Sequence, residues 1–333
     1  LAISVSRRKL LNTKTILDLI GNTPLVKIEK LNPNPNLELL VKLEKNNPGG
    51  SIKDRTAKYM IEHAEKNGQL FPGKIVIEPT SGNTGIGIAL VCRIKGYDVV
   101  IVMPENMSLE RRQILVALGA KVILSEAAKG MDGAEDLAKE IVAKNPDEYF
   151  MPNQFANKAN VLAHYETTAP EIWRDTEGKI THLVAGIGTT GTLMGVSKRL
   201  KEYNPQIKII GVQPEVGTTI PGLKDLKTQH IPEIWQPNTV DEIHYVNPEK
   251  ADETARLMAL KEGLFVGSSS GAAFYVALQK AKELTEGVIV VIAPDGGEKY
   301  LSTSLCDPEL FMECAKKYDV KCSYQDGKPV FRK

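Results

Sequence analysis

Hydrophobic residues in this chain gather in short unbroken runs more than in alternation. The runs are KIVIE at Lys74–Glu78, DVVIVM at Asp98–Met103, KVIL at Lys121–Leu124, His182–Ala185, KIIGVQ at Lys208–Gln213 and GVIVVI at Gly287–Ile292. Consecutive apolar, often β-branched residues predict parallel strands buried on both faces. Helical patterns follow several of them, over Ile86–Lys95, around Leu109–Leu118, over Gly133–Lys144 and up to about Tyr203. Strand–helix alternation predicts an open α/β fold with helices on both faces. Two such series are visible, roughly 51–150 and 180–300, joined through Met151–Arg174. Gly217–Gln236 is rich in Gly, Pro and Thr and reads as a long functional loop.

Ligands of open α/β sheets bind beyond the carboxyl ends of the strands, so the turns there are the candidate positions. Gly186-Ile187-Gly188-Thr189-Thr190-Gly191-Thr192 follows a strand and opens a helix. Free amides, threonine hydroxyls and the helix dipole suit a phosphate. The same turn satisfies G-x-G-x-x-G, with Glu215 at a fitting distance beyond it, so a nicotinamide dinucleotide is a rival occupant. A second cradle, Thr80-Ser81-Gly82-Asn83-Thr84-Gly85, suits a small carboxylate, although Ser81 or Asn83 could simply cap a helix. The third feature is Ser51-Ile52-Lys53-Asp54-Arg55 after Gly49-Gly50. Ser51 and Asp54 resemble a capping box, which puts Lys53 in the first turn of a helix running to Asn67. Positive potential there lowers a lysine pKa, as attack on an aldehyde requires.

Composition narrows the function. Lys plus Arg total 42 against 41 Asp plus Glu, and aromatics are 6%, so nothing favours nucleic acid. No apolar run approaches the roughly 20 residues of a membrane span. The opening LAISVSRRKLLNTKT makes a poor secretory leader and is set aside. Cys92, Cys306, Cys314 and Cys322 read as reduced thiols of a cytoplasmic protein, the last three at intervals that match no metal site. His63, His164, His182, His230 and His244 are scattered without ligand spacing and read as structural, so no metal is expected. Trp173 and Trp235 read as packing residues.

Several motifs occur in one order: IGNTPL from Ile20, SIKDR, EPTSGNTG, MPENMSLERR, NQFANKAN, AHYETTAPEIW, GIGTTGT, GSSSG and APDGGEKYLST. Over about residues 15–305 the chain thereby resembles the cysteine synthase (O-acetylserine sulfhydrylase) and cystathionine β-synthase family of fold type II pyridoxal phosphate enzymes. The resemblance implies two open twisted α/β domains with mostly parallel sheets, as in the tryptophan synthase β chain. The larger, cofactor-anchoring domain would be 15–50 plus 160–305. The smaller, 51–159, would close over substrate, and 306–333 would be an appendage of no assigned role.

By the same resemblance Lys53 matches the lysine that bonds pyridoxal 5′-phosphate and shuttles the α-proton. Asn83 matches the residue at the cofactor's 3′-oxygen, and Gly188, Thr189, Thr190, Gly191 and Thr192 the phosphate loop. Ser269 is similar to the serine facing the pyridine nitrogen. Thr80, Ser81, Asn83, Thr84 and Gln154 resemble the group that binds the substrate carboxylate. A neutral hydroxyl at the ring nitrogen makes a weaker electron sink, which favours loss of a β-substituent over transamination. The implied activity is β-replacement on an O-activated serine, O-acetylserine foremost, by sulfide or another sulfur nucleophile through an aminoacrylate stage. A homodimer is implied as well.

GTTGT with QPEVGTTIPG resembles the B-type branch of the family, associated with broader nucleophiles. That branch would carry two basic residues after IPG, whereas Leu223-Lys224-Asp225 stands here. Gly217, Thr218 and Asp225 are therefore candidate specificity residues. A carboxylate at the mouth would repel a phosphorylated donor and could activate water. Cysteine breakdown with release of sulfide is thus an alternative, and cystathionine β-synthase activity another. Residues 1–20 supply neither Cys nor His for a heme.

Overall fold

The apolar runs form the strands expected of them, and they pair in parallel. A computed structural model of the protein describes residues 14–80, 82–106 and 109–321, and the backbone of 324–325 and 328–329. Candidate Ser81 and the thiol of Cys322 lie outside the described residues. In chain order the elements are β1 (Leu25–Lys27), β2 (Leu37–Leu43), α1 (Lys53–Lys66), β3 (Ile75–Pro79), α2 (Asn83–Lys95), β4 (Asp98–Pro104), α3 (Leu109–Ala117), β5 (Lys121–Ser125), α4 (Gly130–Lys144) and β6 (Tyr149–Phe150). Then come α5 (Lys158–Ala163), a π-helical turn His164–Thr168, α6 (Ala169–Asp175), β7 (His182–Gly186), α7 (Gly191–Tyr203), β8 (Lys208–Pro214), β9 (Glu242–Val246), α8 (Pro248–Glu262), α9 (Ser268–Glu283), β10 (Gly287–Ala293) and α10 (Pro308–Lys317).

Two sheets result. The larger has the order β1-β2-β10-β7-β8-β9, parallel except for β1 against β2. The smaller, β5-β4-β3-β6, is parallel throughout. Both faces of each sheet are covered, which is why these strands read as continuous apolar runs. In β10, Ile289 and Val291 pack with Phe274 and Ala277 of α9, while Val290 and Ile292 pack with Leu193 and Val196 of α7. In β4, Ile101 faces Met60 of α1 and Ile88 of α2, and Val100 and Val102 face Ala134 and Ala138 of α4.

The carboxyl ends of β2, β3, β7, β8 and β10 lead, in turn, to Lys53, Asn83, the 186–192 turn, the loop after Pro214 and Asp295. Five separate stretches of sequence are thus delivered to one region. α10 is capped by Asp307, whose side chain accepts from Glu309 N and Leu310 N, and the following Tyr318 hydroxyl reaches Glu253 of α8 at 3.1 Å.

Candidate active site

α1 begins differently from the capping box its sequence suggests. Ile52 is the residue before the first turn, Ser51 Oγ accepts from Lys53 N at 3.2 Å, and the Asp54 carboxylate turns back to Gly49 N. The left-handed Gly50 (φ 75°) brings Gly49 over that carboxylate. Asp54 is buried there, and loss of water pushes its pKa up to about 6. Lys53 does open the helix, with its amine out of solvent, and burial brings its pKa down to about 8.

Lys53 Nζ donates to Thr189 Oγ1 at 3.2 Å. The lysine and the 186–192 turn therefore share one pocket. In that turn Thr190 takes a left-handed conformation (φ 71°) ahead of α7, and its buried Oγ1 has no hydrogen-bond partner among the described residues. A buried donor without a partner at a helix N-terminus suits an anion. The glycines have a second reason to be there. A Cβ on Gly188 would lie 2.5 Å from the Gly222 carbonyl oxygen, because the loop after β8 crosses the turn and Lys224 N bonds Ile187 O at 2.7 Å. Ser269, buried at the start of α9, borders the same crossing: its Oγ lies 3.9 Å from where a Gly222 Cβ would be.

Beneath the turn lies a buried network. Asn160 Nδ2 donates to Thr189 Oγ1 at 3.1 Å and to the Gln154 carbonyl at 2.8 Å, and its Oδ1 accepts from Thr56 at 3.1 Å. His164 Nε2 lies 3.2 Å from Thr56 Oγ1 and 3.3 Å from Thr192 Oγ1, with Nδ1 3.0 Å from Thr168 Oγ1. Burial first, then the Lys53 and Arg55 charges, hold this imidazole well below its ordinary pKa, so it is neutral. It sits in the π-helical turn, a deviation from α-helix that recurs at functional sites. Among the described residues no group of three or more His, Cys, Asp or Glu is placed to hold a metal.

The carboxylate cradle is built on the small sheet. Thr84 Oγ1 donates to Gln154 Oε1 at 2.6 Å, which leaves the Gln154 amide nitrogen to offer. Glu78 fixes that segment by accepting from Asn153 N at 2.8 Å and Gln154 N at 3.0 Å. Thr80 is buried beside it and accepts from Gly82 N. Asn83 opens α2, and its side chain is bonded to Asp295 and Lys299.

Asp225 is placed otherwise than a residue at the mouth would be. It is fully buried, and its carboxylate pins its own loop, accepting from Thr228 Oγ1 at 2.6 Å, Lys227 N at 2.9 Å and Gly217 N at 3.2 Å. The Thr228 hydroxyl foremost, with the loop amides, holds its pKa below the usual value. Gly217 is left-handed and Thr218 hydroxyl caps Glu215 O, so all three candidates shape the loop.

Sequence reading assigned no role to Thr56, Asn160, Asp295 or Lys299, and gave His164 only a structural one. Asn160, His164, Asp295 and Lys299 stand inside the motifs NQFANKAN, AHYETTAPEIW and APDGGEKYLST, whereas Thr56 has no local signal, since its partners come from separate elements.

The profile of the pyridoxal-phosphate dependent enzyme family matches residues 16–295. The chain belongs to that family. Cysteine synthase B of Escherichia coli is 46% identical over 301 residues, 90% of this chain and 99% of that protein. Among solved structures, a cysteine synthase of Entamoeba histolytica superposes with a TM-score of 0.85 at 38% identity, covering 95% of this chain and 99% of its own. A hydrogen sulfide-producing enzyme of Fusobacterium nucleatum gives 0.83 at 42% identity, covering 87% and 100%. The family assignment decides against the nicotinamide reading of the 186–191 turn.

The pyridoxal-phosphate enzyme's own cofactor suits the residues present. Thr190 Oγ1 is an orphaned donor at a helix N-terminus, and a lysine amine of lowered pKa stands within hydrogen-bond distance of the adjoining Thr189. When bound, pyridoxal phosphate supplies an electron-withdrawing ring that stabilises negative charge developing at the substrate α-carbon.

Proposed function

We propose that the protein makes L-cysteine from O-acetylserine and sulfide by β-replacement. The observation that carries this is the Lys53 amine 3.2 Å from Thr189 Oγ1, beside the anion cradle. With its pKa near 8, roughly one Lys53 amine in ten is neutral at pH 7, against one in a few thousand for an exposed lysine. Lys53 Nζ is thus the base that takes the substrate α-proton and later returns it. Thr189, Thr190, Thr192 and the amides of Gly188 and Gly191 would hold the phosphate of the bound cofactor, with Asn83 on the side of its ring oxygen and Ser269 on the side of its ring nitrogen. Thr80, Thr84, Gln154 and the start of α2, where Ser81 also lies in sequence, orient the substrate carboxylate. The neutral His164 and Asn160 keep the floor of the cradle in place without adding charge.

The smaller unit, 51–159, moves against 15–50 plus 160–305 to admit substrate and expel water. The working form is a cytoplasmic homodimer, which light scattering of the purified protein checks. The self-contained Asp225 carboxylate lends no support to water activation and sulfide release from cysteine.

The purified protein is expected to be yellow and to form cysteine from O-acetylserine plus sulfide faster than it handles thiosulfate, homocysteine or cysteine alone. Lys53→Ala is expected to lose both the visible band and the activity. A colourless wild type that is fully active overturns the proposal.

A further inference from the structure

Asn83 is held from both ends. Its Nδ2 donates to Asp295 Oδ2 at 2.7 Å, and its Oδ1 accepts from Lys299 Nζ at 2.8 Å. A carboxylate on the nitrogen side and an ammonium on the oxygen side forbid the flipped amide, which would set donor against donor and acceptor against acceptor. One N–H of Nδ2 is committed, and the second is left pointing in a fixed direction.

Lys299 does more than orient the amide. An ammonium carries three N–H donors. The other two reach the carbonyls of Gly49 at 2.9 Å and Gly50 at 3.1 Å, in the turn that leads into Lys53. All three donors are thereby used, in a side chain only 7% exposed. Asp295 is anchored in turn: its Oδ2 accepts from Tyr300 OH at 2.7 Å, and its backbone bridges Ser51. A single buried cation therefore spans the two helix starts that carry Lys53 and Asn83.

We infer that Lys299, together with Asp295, is a positioning pair that sets the distance and orientation of Asn83 relative to Lys53. This rests on the functional reading above, in which those two residues meet the same ring. Neither member of the pair is assigned a contact with the reacting atoms. Lys299 fixes the frame and Asp295 fixes which end of the amide faces inward.

The test compares Lys299→Met, Lys299→Arg and Asp295→Asn with wild type. Pyridoxal phosphate is titrated into the cofactor-free proteins, and Lys53 is trapped covalently with borohydride and located by mass. Loss of bonds to a buried charge predicts that Lys299→Met binds the cofactor about tenfold or more weakly. Its trapped fraction should drop, its visible band shift, and its kcat fall more than KM rises. Lys299→Arg should restore most of the affinity and the band, a rescue that a general packing defect would not show. Where Lys299→Met does not fold, Asp295→Asn decides, since it keeps shape and one acceptor and is expected to displace the band. Folded Lys299→Met or Asp295→Asn with wild-type affinity, band and kcat overturns the inference alone. A wild type in which borohydride traps nothing on Lys53 overturns the functional reading and the inference with it.

Discussion

Thr190→Val separates stability from binding, because the two should move in opposite directions. The Thr190 hydroxyl is buried, has no partner among the described residues, and belongs to a β-branched residue already held at φ 71°. Valine has the same branching and nearly the same shape, so the backbone requirement is unchanged. Removing an unsatisfied buried hydroxyl should stabilise the cofactor-free protein by about 1–3 kcal/mol. With an unfolding entropy of about 2 cal/mol/K per residue, that is a rise in Tm of roughly 1–4 °C for a chain this long. The loaded protein should behave oppositely. A hydrogen bond to a charged phosphate contributes about 1.5–3 kcal/mol, so cofactor affinity should fall roughly tenfold to a hundredfold. Circular dichroism melts of the cofactor-free protein and an absorbance titration with pyridoxal phosphate read the two quantities separately. A variant that melts lower without cofactor yet binds it as tightly as wild type would refute the assignment of this hydroxyl to the phosphate.

Two further outcomes follow from buried charge. Arg55, fully buried, forks to Glu44 (Nε to Oε2, 2.8 Å) and to Glu171 (Nη1 to Oε1, 2.6 Å), so Arg55→Met leaves the buried Glu44 carboxylate without its cation and Glu171 with Lys42 alone, and should cost about 3–5 kcal/mol in urea unfolding. Adding Glu44→Gln should recover part of that loss, and strict additivity of the two would contradict the ion-pair account. Burial raises Glu78 from its ordinary 4.5 to about 7, so its contribution to stability is fully present below about pH 4.5 and lost as pH rises through about 7. Glu78→Gln should abolish that slope, and the stability difference between variant and wild type, measured from pH 4.5 to 8, should move steadily in favour of the variant.

The strands most legible in the sequence were those with helices on both faces, because burial on both sides leaves an uninterrupted apolar run. β2 was hidden by its own lysine: Lys42 sits in the strand wholly buried, its amine donating to Thr23 O at 2.7 Å and pairing with Glu171 at 2.9 Å. β9 lies at the sheet edge and carries polar residues, and β1 is three residues long, too short for any period to show. At the site, motif chemistry located Lys53 and the 186–192 turn, since a helix start and a glycine turn are local features. Thr168 shares the π-helical turn of His164, but the imidazole's other partners are not local: Thr56 and Thr192 lie in α1 and α7, and only the assembled fold brings their hydroxyls to the ring. The burial of Asp225 was not legible either, because an acidic residue in a polar loop gives no local sign of it until the loop is seen wrapped around the carboxylate.

Residues 41 and 291 lie side by side in the large sheet, β2 against β10. On a ribosome the first must wait for the second, and at roughly 5–20 residues per second the delay runs to tens of seconds. The four-stranded sheet, by contrast, is complete by Phe150. A nascent chain therefore carries a finished small sheet beside a leucine-rich ribbon, Leu37–Leu43, which has the three-residue β1 on one edge and nothing yet made for the other, and that open edge is what a holding chaperone would have to shield.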